Sequence, residues 1–189
     1  SATYRQSSRV RPADIAADPE NVRLGRGARF RMPAPLLRDL ALAASGLLDG
    51  RIGGAPVYPY QPDQIWEALA ITKERDFTYP QSQGADLWRR SLYTFWRRTV
   101  SPANMFDAAD RQTCRVRTAT TCTPLHALTT LNDPTWVEAS RVLAADVMRA
   151  APSTEARLSA AFRRVVGRVP GQREVAADRK STRLNSSHV

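Results

Sequence analysis

Two cap-and-proline pairs, Thr123-Pro124 and Asp133-Pro134, restrict the possible folds of this chain more than any other feature. Proline has a fixed φ and no N–H, so a helix tolerates it in the first turn and hardly anywhere else. A Thr or Asp just before it offers the side-chain oxygen that a helix start lacks. The pairs therefore cut the region into consecutive helices over 124–131 and 134 to about 149, with Asn132 tying off the turn between them. The same grammar opens a helix over 12–17 behind Pro12, ended by Asp18-Pro19, and another over 33–48 with Pro33 and Pro35 in its first turn. Gly50, Gly53 and Gly54, with Pro56 behind them, are expected to stop the second. Ser153 or Thr154 caps a later helix ending at Gly167, and one more begins at Pro170 and is cut short.

Spacing assigns faces to these helices. Over 33–48, Leu36, Leu40, Ala43, Ala44 and Leu47 form an apolar stripe, and Arg38 and Asp39 fall off it. Val137, Leu143, Ala144, Val147 and Met148 are the expected buried set of the 134–149 helix, and Leu158, Ala161, Phe162 and Val165 that of the next. Between the helices, 57–62 (VYPYQP) reads as an extended connector, because its prolines exclude a central strand. Tyr58, Tyr60 and Trp66 can stack on a sugar or base, but aromatics beside prolines more often plug a core. Residues 62–70 are expected to form a short helix and 73–84 a charged loop. Segment 86–99 has a β-favouring composition, yet Trp88, Leu92, Phe95, Trp96 and Thr99 share one helical face, and the 3.6-residue period favours a helix. Residues 101–121, with Phe106 and Val116, read as an ordered loop. The expected fold is mainly α: an irregular single domain of several short-to-medium helices with long ordered loops, and a fragment of a larger domain.

The chain carries a net charge of +10, almost all of it arginine, since Lys73 and Lys180 are its lysines. Such charge releases counterions from a phosphate backbone. Against nucleic acid as the partner, the arginines form no run longer than two and no recognition motif accompanies them. The simpler reading makes the guanidinium groups structural forks for carboxylates and carbonyls. Hydrophobic content of 42% with 24% charged residues suits a packed domain, and no apolar run approaches the length of a membrane span. Cys114 and Cys122 lie eight apart without CxxC or CxxCH, so neither a disulfide scaffold nor covalent haem attachment is indicated, and a bridge between them stays open. Residues 179–189 (RKSTRLNSSHV) lack apolar periodicity and are set aside as a non-native tail.

The stretches SATYRQSS, DPEN, YQP, RRSLYTFWRRTV, NMFDAADRQTC and TPLHALTTLNDPTWVEA resemble the domain of unknown function 1553 family over about 1–178. The resemblance implies a C-terminal module of large planctomycete-type proteins, exported and following a cytochrome c-like segment and a second uncharacterised domain. Haem c then belongs to an upstream domain and no cofactor to this fragment; the implied partners are those upstream domains. The family's usual N-T-P-L-Q-A-L reads here as Cys122-Thr-Pro-Leu-His126-Ala-Leu, and Cys114 matches its single cysteine. These departures argue against a family-wide disulfide and against His126 as a general catalytic base.

The residues themselves offer one polar cluster as a ligand site: Asp107, Asp110, Arg111, Arg115 and Arg117 beside the helix mouth at Thr123. Arginines near the N–H groups of a helix start can hold a phosphate, sulfate or carboxylate. The competing reading is a salt-bridged loop in which Thr123 only caps. Two carboxylates are too few for calcium, two cysteines and one histidine too few for zinc, and a thiol–imidazole dyad lacks the spacing of a thiol protease. The leading expectation is an uncharacterised accessory module of an exported, cytochrome c-linked protein, binding an anionic or carbohydrate ligand. The alternative is part of an enzyme acting on polysaccharide or coupled to electron transfer, with catalytic residues outside this fragment. A basic nucleic-acid binder is the third.

Overall fold

The helices expected behind Pro12, Pro33, Pro124 and Pro134 all form. The structure, a computed structural model, describes residues 2–178 apart from 4, 29, 63, 64, 66–78, 97–101, 103, 108–113 and 115–119. Helices α1 (Pro12–Ala17), α2 (Ala34–Ser45), α3 (Pro124–Asn132) and α4 (Pro134–Ala150) each carry proline in the first two positions. Helix α5 (Thr154–Val166) opens on Ser153, whose Oγ accepts from Ala156 N–H at 3.2 Å, and closes on Gly167 in the left-handed region at φ 72°. Backbone at 172–178 is helical again. Glu174 reaches back to Gly171 N–H (2.8 Å), and both its oxygens accept from Arg168 (2.7 and 2.6 Å). Those contacts, the Arg168 bond first, hold its carboxyl down at about 2. The described chain is mainly helical, and none of its helices is long and apolar enough to cross a membrane.

The described chain divides into two units, Ser1–Met32 and Pro33–Val189. In the first, Asp14 caps α1 by accepting from Arg11 N–H (3.1 Å). Arg26 then gathers three main-chain carbonyls, those of Asp14, Asp18 and Pro19, at 3.1, 2.7 and 2.7 Å. A guanidinium takes the place of secondary structure here, satisfying carbonyls that a short helix and a turn leave open.

In the second unit α2 corrects two expectations. It ends at Gly46 (φ 80°), not at the later glycines: Gly46 N–H and Leu47 N–H return to Ala43 O and Leu42 O, a close that needs the left-handed conformation. Its buried face is also not the leucine stripe. Ala34, Arg38, Leu42 and Ser45 are buried along one side; of the expected stripe Ala44 is buried, Leu40 and Leu47 are half-buried, and Leu36 is 54% exposed. An arginine with 0% exposure therefore sits at the centre of the inward face. Its Nη2 donates to Leu87 O (2.7 Å) and its Nη1 to Arg89 O (2.9 Å) and Ser91 Oγ (3.2 Å). Burial lowers the Arg38 pKa, and the nearby Asp39 and Asp133 charges oppose that shift.

This same contact explains why 86–99 does not form the favoured helix. Its described part consists of 3₁₀ turns at Gly84–Trp88 and Ser91–Tyr93, with extended residues between and after them. In an α-helix Leu87 O would accept from Ser91 N–H. Arg38 takes that carbonyl, and Asp39 Oδ1 takes the N–H at 2.7 Å, so α2 occupies both ends of the bond. The segment lies instead along 49–58 through isolated parallel bridges, Asp49 with Arg89 and Val57 with Thr94. A second buried arginine, Arg89, donates to Ala55 O (3.2 Å), Arg51 O (3.2 Å) and Gly53 O (2.5 Å), and stacks on Tyr93 at 4.0 Å.

The core collects Leu42, Val57, Leu87 and Met105 with Ala139 and Val147 of α4. Fully burying one leucine such as Leu42 stabilises by about 2 kcal/mol. Tyr58 is part of this packing, stacked on Phe95 (4.9 Å) and edge-on to Tyr79 (5.5 Å), so of the connector aromatics it is the plug. Helix α4 buries Thr135, Ala139 and Val147; of the larger set expected, Val137 and Met148 are 41% and 59% exposed. In α5, Leu158, Ala161 and Phe162 are half-buried and Val165 is exposed. The expected helix over 62–70, Trp66 and most of the loops over 73–84 and 101–121 lie outside the described residues.

Candidate functional site

The α3–α4 corner is pinned from both sides. Asp133 N–H donates to Thr129 O (2.8 Å), closing α3, while Asp133 Oδ1 accepts from Thr135 N–H (2.9 Å), opening α4 as expected of a cap. Asn132 Nδ2 donates back to Leu128 O (2.8 Å). Behind the corner, fully buried Asn104 donates from Nδ2 to Thr135 Oγ1 (3.2 Å), with Asp133 Oδ1 at 3.5 Å.

At the N-terminal end of α3 stands the loop expected to bind a ligand. Of its six residues, Asp107 and Thr123 are described; Asp110, Arg111, Arg115 and Arg117 lie outside the described residues. Thr123 occupies the N-cap with extended backbone, but its side chain makes no capping hydrogen bond. Asp107 adopts φ 58°, a left-handed conformation that aspartate reaches more readily than most side chains. Its carboxylate accepts from Thr121 N–H (2.7 Å) and Thr121 Oγ1 (2.5 Å). His126 Nε2 stands 3.9 Å from Asp107 Oδ1, too far for a hydrogen bond, and its ring stacks on Phe106 at 4.1 Å and 15°. The hydroxyl of Thr121 thus faces the carboxylate and not the imidazole, which is not the geometry of an activated nucleophile. Cys114 and Cys122 are exposed and unbridged. Among the described residues no three His, Cys, Asp or Glu side chains gather as a metal ion requires.

At the other end of α3 a cleft of about 530 Å³ opens. One wall is Tyr60, Gln61 and Pro62 from the connector; Gln81 joins them, and the corner supplies Thr129, Asn132, Asp133 and Pro134. The lining residues thus carry three side-chain amides, a hydroxyl, a carboxylate and a phenol ring, of which Thr129 Oγ1 donates to Leu125 O (3.0 Å) and Asn132 Nδ2 to Leu128 O. Tyr60 is held from behind: its hydroxyl lies 3.4 Å from Glu138 Oε2, the same oxygen that accepts from Trp88 Nε1 at 3.0 Å. Burial, and then Glu138, raise the Tyr60 pKa, so the phenol stays neutral around pH 7. Tyr79 underpins the wall, donating to Pro59 O (2.6 Å) and hydrogen-bonded to Gln61.

Reading the sequence singled out Tyr60 here only as one of several aromatics, Asn132 only as a turn residue and Asp133 only as a helix cap. The cleft's signal was the pairing of two short polar stretches, Tyr60-Gln61-Pro62 and Thr129–Pro134, separated by about seventy residues of chain. Both belong to the stretches that carry the family resemblance. A family model described as PSD1, protein of unknown function (DUF1553), matches residues 1–181. No curated protein and no solved structure matches the chain. With a match running over nearly the whole of it, the chain belongs to this DUF1553 family of proteins of unknown function.

Proposed function

We propose that this chain is an accessory module whose Tyr60–Asp133 cleft binds a carbohydrate. The observation that carries the reading is the lining: one aromatic ring among three side-chain amides, a threonine hydroxyl and a carboxylate, around about 530 Å³. That volume suits a small ligand. A sugar presents C–H faces that stack on an aromatic ring and hydroxyls that both donate and accept, which amides and carboxylates match in pairs. The backing of Tyr60 by Glu138 holds the ring in place before a ligand arrives, which lowers the ordering cost of binding.

The loop at Asp107 supports an anionic ligand less well. Asp107, a carboxylate that would repel an anion, accepts there from the N–H and hydroxyl of Thr121. In this proposal the module acts within an exported polypeptide, beside a cytochrome c-like segment and a further domain; the family resemblance supports that setting.

Calorimetric titration of the chain with a panel of oligosaccharides tests the reading. A sugar of the panel is expected to bind, and Tyr60→Ala to weaken it about tenfold or more, the worth of a stacked ring, with unchanged circular dichroism. Equal binding by wild type and Tyr60→Ala would remove the cleft from consideration.

A further inference from the structure

We infer that the Tyr60–Asp133 cleft selects uncharged sugars and rejects acidic ones, even though the chain carries +10; the inference rests on the carbohydrate reading above. Asp133 is the only carboxylate in the described lining, and that lining contains no arginine, lysine or histidine. Two local features oppose a negative field, and neither outweighs it. The first is the N-terminus of α4, which a helix dipole makes equivalent to about +0.5 of a charge. Asp133 caps that terminus with a full negative charge, through Oδ1 on Thr135 N–H, so the sum stays negative. The second is Arg38, whose charge interacts with Asp133. Its side chain has no exposure, its Nη atoms donate to Leu87 O, Arg89 O and Ser91 Oγ, and Asp39 lies 3.8 Å away. Arg38 can neither reach a ligand nor leave Asp133 fully neutralised. A uronate or sulfate entering the cleft would meet a like charge with no cation among the described lining residues, whereas a hydroxyl would find a charged acceptor, which makes a stronger hydrogen bond than a neutral one.

The test uses the whole chain and matched hexasaccharides at pH 7: cello-, xylo- and mannohexaose against hexagalacturonate, hyaluronan and heparin-derived hexamers, each titrated by calorimetry. The best neutral sugar is expected to bind about tenfold tighter than any acidic one, the scale of a like-charge contact. Asp133→Asn keeps an equally good helix cap, so α4 should be retained, and is expected to shrink that preference about threefold or more by admitting the acidic sugars. Acidic sugars binding as well as neutral ones, or a preference unchanged in Asp133→Asn with native circular dichroism, would overturn the charge selection and leave the cleft standing. Binding by none of the six would overturn both the selection and the carbohydrate reading beneath it.

Discussion

The contact of α2 with the 84–96 segment and the contact of α4 with α5 hold the larger unit by opposite means. Where 84–96 meets α2 there is almost no regular structure, only two short 3₁₀ turns and isolated bridges. The join is made by fully buried Arg38, whose bonds to Leu87, Arg89 and Ser91 cross 49 to 53 residues of sequence. Helices α4 and α5 satisfy most of their own backbone, and the arginine that serves a carbonyl at their junction, Arg157 Nε on Ala151 O (2.8 Å), is only part-buried. Between them lies an ion pair of Arg164 with Asp146 whose side chains remain 40% and 38% exposed. The contrast teaches where an arginine matters. A guanidinium that replaces missing backbone partners in a dry interior is costly to lose, while one that meets a carboxylate in water contributes little.

Substitutions at three positions test that contrast, in falling order of effect. Arg38→Ala strips buried Leu87 O and Arg89 O of their donors and is expected to cost about 3–5 kcal/mol in chemical denaturation. Arg38→Lys should recover only about 1 kcal/mol of it, because a single ammonium cannot fork between carbonyls. A loss below about 1 kcal/mol for Arg38→Ala would show that those carbonyls find water, and would end the distinction between the two regions. Ser91→Ala removes a hydroxyl that links Arg38 (3.2 Å) to Asp39 Oδ1 (2.7 Å) but leaves the Ser91 N–H on Asp39. About 1–2 kcal/mol is expected, measured the same way, and a loss as large as that of Arg38→Ala would move the keystone from the arginine to the serine. Arg164→Ala should leave the thermal midpoint within assay scatter at physiological salt. A clear drop there would mean that α5 depends on its ion pair after all.

Much of the local structure was legible in the sequence because its causes are local. Pro12, Pro124 and Pro134 each sit in the first turn of a helix, Asp133 caps as expected, and Gly167 ends α5. The faces were less legible. Placing Arg38 off the apolar stripe hid the face that α2 buries it on, since hydrophobic spacing has no means of showing that a charged side chain serves distant carbonyls. The 86–99 period misled for the same reason: its helical hydrogen bonds are taken by Arg38 and Asp39 of another element. Of the candidate ligand loop, the described residues show Asp107 accepting from Thr121, a contact that no spacing in the sequence announced, while the cleft lined by Tyr60 and Asp133 lies at the opposite end of α3.

The sequence by itself determined the family, the mainly helical class, the proline-led helix starts and the end of α5, because a proline's φ, a cap's oxygen and a glycine's left-handed turn act within one turn of chain. Only the tertiary structure decided that α2 buries an arginine, that 84–96 is unwound and that Tyr60 faces Asp133. Each of those depends on groups some fifty or more residues apart, and at that separation a donor's partner is chosen by which unsatisfied carbonyl or carboxylate the packed chain brings within about 3 Å.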